Sequence, residues 1–301
     1  MISTPADSRF FANEIIGNCV LLKPLRVREK HEVWRVFDRK RHLSAVLKLI
    51  HMEHRRAEIL PDLIRSLHSL DSSRLVKVLD FQKTGCYYAV ELEYAAGGTL
   101  AQMLRRQGRF SLAQTVFIMR EVLMALTLLH GCGIIHRDIK PGNIMLSAEG
   151  FPKLGDFSIA RLKSHPEKGP QVFGTPSAMS PEQTSDSTQA DERSDFFSLA
   201  SMIWQLLTGK PRFPRVGFVE TLKIIRDSDP DRFQEELGEY ATADLISLLA
   251  QMSANRPSER PESAEFILGR LDRMHLPCAG SIPCKTAEEQ PEPQRGRIGE
   301  T

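Results

Sequence analysis

Residues 134–146 read IIHRDIKPGNIML, which places an acid (Asp138), a cation (Lys140) and an amide (Asn143) at spacings of two and three residues between apolar ends. Pro141 and Gly142 stop a continuous helix or a central strand from running through them, so the three polar groups sit on one turn pinned at both sides. Phosphoryl transfer uses such a set: a carboxylate to orient and deprotonate a hydroxyl, a cation near the moving phosphate, and an oxygen ligand for magnesium. Asp138 would be the base, Lys140 the phosphate contact and Asn143 a metal ligand. A polar surface turn can hold the same three residue types, so the reading requires more parts elsewhere in the chain.

Two such parts are present. In AVLKLI (45–50), period-two alternation puts Val46, Lys48 and Ile50 on one face and Ala45, Leu47 and Leu49 on the other. Lys48 is therefore either a strand-edge lysine whose ammonium snorkels to solvent or a cation held rigidly where a phosphate can reach it. Downstream, KLGDFSIARL (153–162) sets Asp156 among strand-like residues. A second oxygen ligand from a carboxylate suits magnesium, which is usually held by one or two carboxylates together with phosphate oxygens.

The elements that must position these groups change character along the chain. Up to about residue 93, CVLLKPL, HEVWRVFD, LSAVLKLI, SRLVKVLDF and CYYAVELEY are rich in β-branched and aromatic residues and predict strands, interrupted by one helix over roughly 53–70. After residue 98 the pattern is helical. SLAQTVFIMREVLMALTLLHG (111–131) opens on a capping box of Ser111 and Gln114 and stops at Gly131. FFSLASMIWQLL (196–207) follows Ser194 and Asp195 as caps and ends before Gly209, a buried helix too short to span a bilayer. A sheet-rich lobe thus precedes a helical lobe, joined near YAAGG (94–98).

Composition narrows the function class. Forty Lys and Arg against 38 Asp and Glu leave a net charge of +2, which gives no global field suited to nucleic acid or an anionic membrane. Five cysteines (19, 86, 132, 278 and 284) without CxxC pairing predict free thiols in a reducing compartment, and MISTPADSRF lacks the basic start and apolar core of a signal peptide. The expectation is a soluble, cytoplasmic protein without an uninterrupted apolar span. The last residues, PCAGSIPCKTAEEQPEPQRGRIGET, carry little to bury and predict a disordered tail.

Lys48, HRDIKPGN, DFS and GTPSAMSPE, in this order and on a sheet-then-helix layout, resemble the eukaryotic-like Ser/Thr protein kinases, with the bacterial members closest in the form of SPEQ and RSDFFSLA. The resemblance implies an α+β, bilobal fold. A small antiparallel-sheet lobe with one main helix (15–93) and a larger helical lobe (94–272) would follow an N-terminal extension (1–14) and precede the tail (273–301). It implies transfer of the ATP γ-phosphate to Ser/Thr hydroxyls of a protein substrate, with ATP and Mg²⁺ as cofactors and no nucleic-acid or membrane partner. A kinase-fold protein that binds nucleotide or acts as a scaffold without catalysis is the alternative.

Carried over position by position, the resemblance makes Lys48 the contact to the α and β phosphates, Asp138 the base, and Asn143 and Asp156 the magnesium ligands. Lys140 would contact the γ-phosphate and be aligned by Thr175. Val33 and Val46 would cover the adenine, Met145 would lie beneath it, the Glu93 carbonyl and Ala95 N–H would bond its edge, and Leu92 would stand behind. Glu182 and Arg260 resemble the buried ion pair that braces the helical lobe, and Asp195 the helix acid that orients the catalytic loop. His136 and Phe157, from HRD and DFS, are structural.

Four departures accompany the match. In LRVREKHEVW the family's glycine positions are Arg26, Arg28 and His31, so the phosphate loop lacks the residues that let backbone N–H groups approach closely; Arg26 and Arg28 can offer guanidinium groups or form a solvated strand edge. Val46 stands where alanine is usual and narrows the pocket. Ser158 replaces the glycine of DFG. The acid pairing with Lys48 is Asp62, on a helix starting at Pro61, or Glu58. Regulation is expected from Arg137, which can pair a phosphate, with Ser164 between Lys163 and His165 as the switch.

Overall fold

The computed structural model describes residues 9–284 apart from 55, 56, 166, 168, 170, 215, 230 and 231. The chain begins with β1 (Ile15–Ile16), β2 (Cys19–Arg28), β3 (His31–Asp38) and β4 (Leu43–His51), continues through helix α1 (Leu60–His68), and returns to β5 (Val78–Thr84) and β6 (Tyr87–Glu93). These strands form one antiparallel sheet in the order β1-β2-β3-β4-β6-β5. The alternation in β4 behaves as expected. Ala45, Leu47 and Leu49 are fully buried with Trp34, Val36 and Ala89 in a core on one face, leaving Val46 and Lys48 half-buried on the other. Phe10, from the N-terminal extension, packs edge-on against Tyr87 at 5.1 Å.

Helix α1 is shorter than the expected 53–70, and Pro61 in its first turn marks the start. Its buried stripe is Leu60, Leu63, Ile64 and Leu67. That spacing decides what the helix can offer the cleft, because position 62 falls off the stripe.

A linker leads to β7 (Gly98–Thr99), α2 (Leu100–Gln107), α3 (Leu112–Gly131), β8 (Ile134–Ile135), β9 (Ile144–Leu146), β10 (Pro152–Leu154) and β11 (Arg161–Leu162). The remaining helices are α4 (Pro181–Ser185), α5 (Glu192–Thr208), α6 (Phe218–Arg226), α7 (Arg232–Leu237), α8 (Ala243–Met252) and α9 (Ala264–Arg273). Helix α3 has the expected Ser111–Gln114 capping box, although the left-handed stop is Gly133 (φ 67°) and Gly131 is its last helical residue. Its length and mean hydropathy of 1.6 would suit a bilayer. Here Ile118, Met119, Leu123, Ala125, Leu126 and Leu129 are fully buried in the centre of the lobe.

Helix α5 starts earlier than expected. Asp191 is its cap, with Ser194 returning the bond as the third helical residue, so Ser194 and Asp195 are not caps. Capping by Asp191 leaves Asp195 one turn inside, where it turns toward the loop between β8 and β9. Gly209 (φ 78°) ends the helix as predicted.

The tail expected to be disordered from residue 273 is seated as far as residue 284. Ala279 N–H donates to Ala113 O (3.1 Å), Ile282 N–H donates to Gly150 O (3.0 Å), and the Ile282 side chain is fully buried. Leu276, Ala279 and Ile282 supply apolar contacts that the Pro-rich and charged composition masks. The expectation for residues 285–301 lies outside the described residues. All five cysteines are free thiols.

Candidate active site

The loop between β8 and β9 gathers its three polar residues as the sequence predicts. Asp138 is buried, and its Oδ2 accepts from Lys140 Nζ (2.5 Å) and Asn143 Nδ2 (2.8 Å). Asn143 Nδ2 also donates to Asp138 O (2.8 Å), which leaves the amide oxygen of Asn143 for a ligand. Lys140 Nζ donates in turn to Thr175 Oγ1, the alignment expected of that threonine. Asp138 Oδ1, in contrast, is shielded from solvent and has no hydrogen-bond partner among the described residues.

Asp195 holds this loop in shape. It accepts from His136 N (2.9 Å), Arg137 N (2.7 Å) and His130 Nε2 (2.8 Å) while fully buried. Burial alone would raise its pKa; the His130 bond and the loop amides more than offset this and hold it below the ordinary carboxylate range. Two convergent amides on one carboxylate also explain how Arg137 keeps a φ of 67°, a left-handed conformation that costs a side-chain-bearing residue about 1–2 kcal/mol. The buried His136 donates from Nε2 to Gly155 O (3.0 Å) and accepts at Nδ1 from Asp138 N (3.3 Å), which fixes its neutral tautomer. It meets the Phe157 ring edge-on at 5.3 Å. The structural roles of Asp195, His136 and Phe157 thus have a common object, the shape of the catalytic loop.

Asp156 lies beside that loop, since Gly155 N–H donates to Asn143 O (2.9 Å). Its Oδ1 accepts from Lys48 Nζ (2.9 Å) and from Ser158 Oγ (2.8 Å), and its Oδ2 stands 3.7 Å from Arg26 Nη1. Burial works to raise the Asp156 pKa, but Lys48 above all, with Ser158 and Arg26, holds it well below the usual carboxylate range. Ser158 therefore does more than replace a glycine: its hydroxyl steadies the acid. One carboxylate and one amide oxygen, on segments joined by the Gly155–Asn143 backbone bond, match the hard, oxygen-only donor set of magnesium, which keeps waters and takes its other ligands from phosphate. Asp156 and Asn143 fit that ion.

The expected partner of Lys48 is not found. Asp62 accepts from Arg65 Nη1 (2.9 Å) and lies 3.0 Å from His165 Nε2, facing the segment after β11, and Glu58 is exposed. The cause is the helix stripe. Leu60 and Ile64 face a cavity of about 190 Å³ behind Lys48, lined also by His31 and Phe157, so α1 presents hydrocarbon where an acid was expected. Lys48 is left to Asp156.

The segment at 26–33 is no open loop either. Strand pairing continues to Arg28↔His31, so Glu29 and Lys30 alone make the turn. Val33 pairs with Lys48 and lies on the cleft face with His31. Burial first, then the Lys48 charge, depresses the His31 pKa to about 4, so this imidazole is neutral at physiological pH. Arg26 reaches toward Asp156, whereas Arg28 is exposed at the hairpin end. The two arginines consequently differ: Arg26→Ala should weaken nucleotide binding by about 1–2 kcal/mol, the worth of one charge-assisted hydrogen bond, and Arg28→Ala by much less. Titration of ATP against each single variant measures the split; equal losses would contradict it.

The adenine end is formed by the last residues of β6 and the floor strand β9. The Glu93 carboxylate is engaged by Lys153 Nζ (2.8 Å) and Lys77 N (3.1 Å), and its backbone N–H donates to Lys77 O (3.0 Å). Ala95 follows in the linker, Val46 faces Leu92 across the β4–β6 ladder, and Met145 lies half-buried on β9. Farther out, Arg260 Nη1 and Nη2 donate to Glu182 Oε1 (2.7 Å) and Oε2 (2.8 Å), the predicted brace.

Sequence reasoning missed Glu167. Arg137 is buried, and its guanidinium donates to both oxygens of Glu167 (2.6 and 2.8 Å), to Ile159 O (2.8 Å) and to Ser187 O (3.0 Å). The site at which a phosphate was expected to dock already holds a carboxylate, and Ser164 instead bonds His165 Nδ1 (3.1 Å). Glu167 is the only acid between Asp156 and Glu182, a signal that a count of carboxylates would have picked up. Phosphatase treatment should therefore leave catalytic activity unchanged, whereas Glu167→Gln, which strands a buried guanidinium, should lower kcat about tenfold, equivalent to ~1.4 kcal/mol. Activity that required prior phosphorylation of the 158–177 segment would refute this.

The sequence pattern of the protein kinase domain matches residues 30–269. Among curated proteins, the chain is 34% identical over 217 residues to serine/threonine-protein kinase pkn3 of Myxococcus xanthus, covering 67% of this chain and 39% of that protein. It is 36% identical over 199 residues to serine/threonine-protein kinase PknL of Mycobacterium tuberculosis (65% and 49%), and 30% identical over 218 residues to serine/threonine-protein kinase ppk11 of Schizosaccharomyces pombe (71% and 70%). The chain thus spans about two fifths of the length of the Myxococcus protein.

Proposed function

Because this chain belongs to the protein kinase family, we infer that it transfers the γ-phosphate of ATP to serine or threonine hydroxyls of a protein substrate. The observation that carries this reading is the buried, unpartnered Asp138 Oδ1 beside a Lys140 that bridges to Thr175. A substrate hydroxyl donating to that oxygen would be oriented for in-line attack, with its proton passing to the carboxylate. Lys140 would hold the transferred phosphoryl group, and Thr175 would keep the lysine from folding wholly onto Asp138. Lys48 would bind the α and β phosphates once Asp156 is engaged elsewhere. Magnesium would supply charge neutralisation on the β and γ oxygens, held by Asp156 and Asn143.

The competing reading, a nucleotide-binding scaffold, draws on one feature, the apolar face of α1 opposite Lys48. The two separate in one experiment. ATP is titrated with and without Mg²⁺, a generic protein acceptor is added, and the phosphorylated residues are identified. Metal-dependent phosphoserine or phosphothreonine supports the kinase; bound ATP without transfer supports the scaffold.

A further inference from the structure

Beside the catalytic loop runs a groove of about 740 Å³, bounded by Lys140 and Thr175 at one end and by Phe218 of α6 at the other. Its floor is one face of α5, where Ser198, Ser201, Met202 and Gln205 recur at helical spacing. Among the described residues, the charged ones that line it are Arg105, Lys140 and Arg212, with no Asp or Glu. Lys140 belongs to the catalytic set, and Arg212 stacks over the rings of Phe197, Phe213 and Phe233 at 4.2–5.4 Å. Arg105 is different. It is exposed in the last turn of α2 and makes no ion pair among the described residues. On the α5 floor of the same groove, Ser201 is 4% exposed and its hydroxyl has no hydrogen-bond partner among the described residues, an unsatisfied buried donor.

We propose that this groove reads an acidic side chain close to the phospho-acceptor in the substrate peptide, through Arg105, Ser201 and Gln205. The proposal rests on the kinase reading of the site and names its substrate class. A guanidinium, a hydroxyl and a primary amide all donate to a carboxylate, whereas a peptide arginine would meet Arg105 without a compensating acid. Selectivity therefore has an attractive and a repulsive part.

The test uses the full chain and peptides that carry serine or threonine flanked by Asp or Glu, by Ala, or by Arg. Phosphotransfer is measured, and binding of the same peptides with alanine in place of the acceptor is followed by fluorescence anisotropy. Acid-flanked peptides should be favoured over Arg-flanked ones about tenfold in kcat/KM and in binding, the factor one charge-assisted hydrogen bond is worth. Arg105→Glu, at an exposed position, should remove the preference, and adding Gln205→Glu should invert it, with the KM for ATP unchanged. Preference for Arg-flanked peptides, or a preference that neither variant alters, would overturn the proposal. Acid-selective, Arg105-dependent binding without any phosphotransfer would uphold the groove and count against the kinase reading instead.

Discussion

Asp138→Asn should lower kcat by about 10²- to 10⁴-fold, the usual worth of a general base, while the affinity for ATP stays within about a factor of three. The separation follows from geometry. Asp138 contacts Lys140 and Asn143 through Oδ2, and its other oxygen has no hydrogen-bond partner among the described residues, so no part of it is committed to the nucleotide. Asparagine keeps one acceptor oxygen and the approximate shape, so Asn143 retains a neighbour and the loop, held from behind by Asp195, keeps its course. Single-turnover phosphotransfer together with equilibrium ATP binding distinguishes the two effects. A variant with full activity would remove Asp138 from the chemistry, and one that lost ATP binding in parallel would show that the carboxylate shapes the nucleotide site.

The second large effect is on stability. Arg260 is buried with its guanidinium bonded to both Glu182 oxygens and to three backbone carbonyls, of Arg193, Ala254 and Asn255. Glu182 also accepts from Ser194 Oγ (2.5 Å), so the pair ties α4 to α5 and to the loop before α9. Arg260→Ala leaves a nearly buried carboxylate without its counter-charge, which costs roughly 3–5 kcal/mol and should lower Tm by on the order of 10 °C. Burial pushes the Glu182 pKa up, but Arg260 more than compensates and holds it below its ordinary value. A depressed carboxylate pKa contributes stability that is fully present above the unfolded value of about 4.3 and is lost as the pH falls through the lower folded value. The gap between wild type and Arg260→Ala should accordingly be widest near neutrality and narrow below about pH 4. Thermal melts across that range check both statements; a pH-independent gap would assign the loss to packing.

The polar residues of the candidate site's central turn were legible because their spacing is dictated by short-range geometry. Asp138, Lys140 and Asn143 share one turn and Gly155, next to Asp156, bonds Asn143, whereas the partners of Glu182, Arg260 and Asp195 were supplied by the family resemblance and not by spacing. Period-two alternation placed Lys48 on the cleft face of β4 for the same reason. What stayed hidden depends on three-dimensional neighbours. The rotation of α1, set by Leu60, Leu63, Ile64 and Leu67, points Asp62 at His165 and away from Lys48. Glu167 reaches Arg137 from 30 residues along the chain, and no periodicity announces such a contact. The start of the tail looked too polar to dock, yet buried Ile282 and two backbone bonds seat it as far as residue 284.

The most direct measurement is single-turnover transfer from γ-labelled ATP to a protein acceptor, run over a titration of Mg²⁺ with wild type and with Asp156→Asn. Asp156, which pairs with Lys48 and Arg26, is one of the two proposed magnesium ligands, so the account predicts label on serine or threonine that rises with Mg²⁺. It also predicts a much higher metal requirement for the variant, because one of its two proposed ligands has lost its charge. Transfer that proceeds equally in EDTA, or label released only as inorganic phosphate with none on protein, would contradict it.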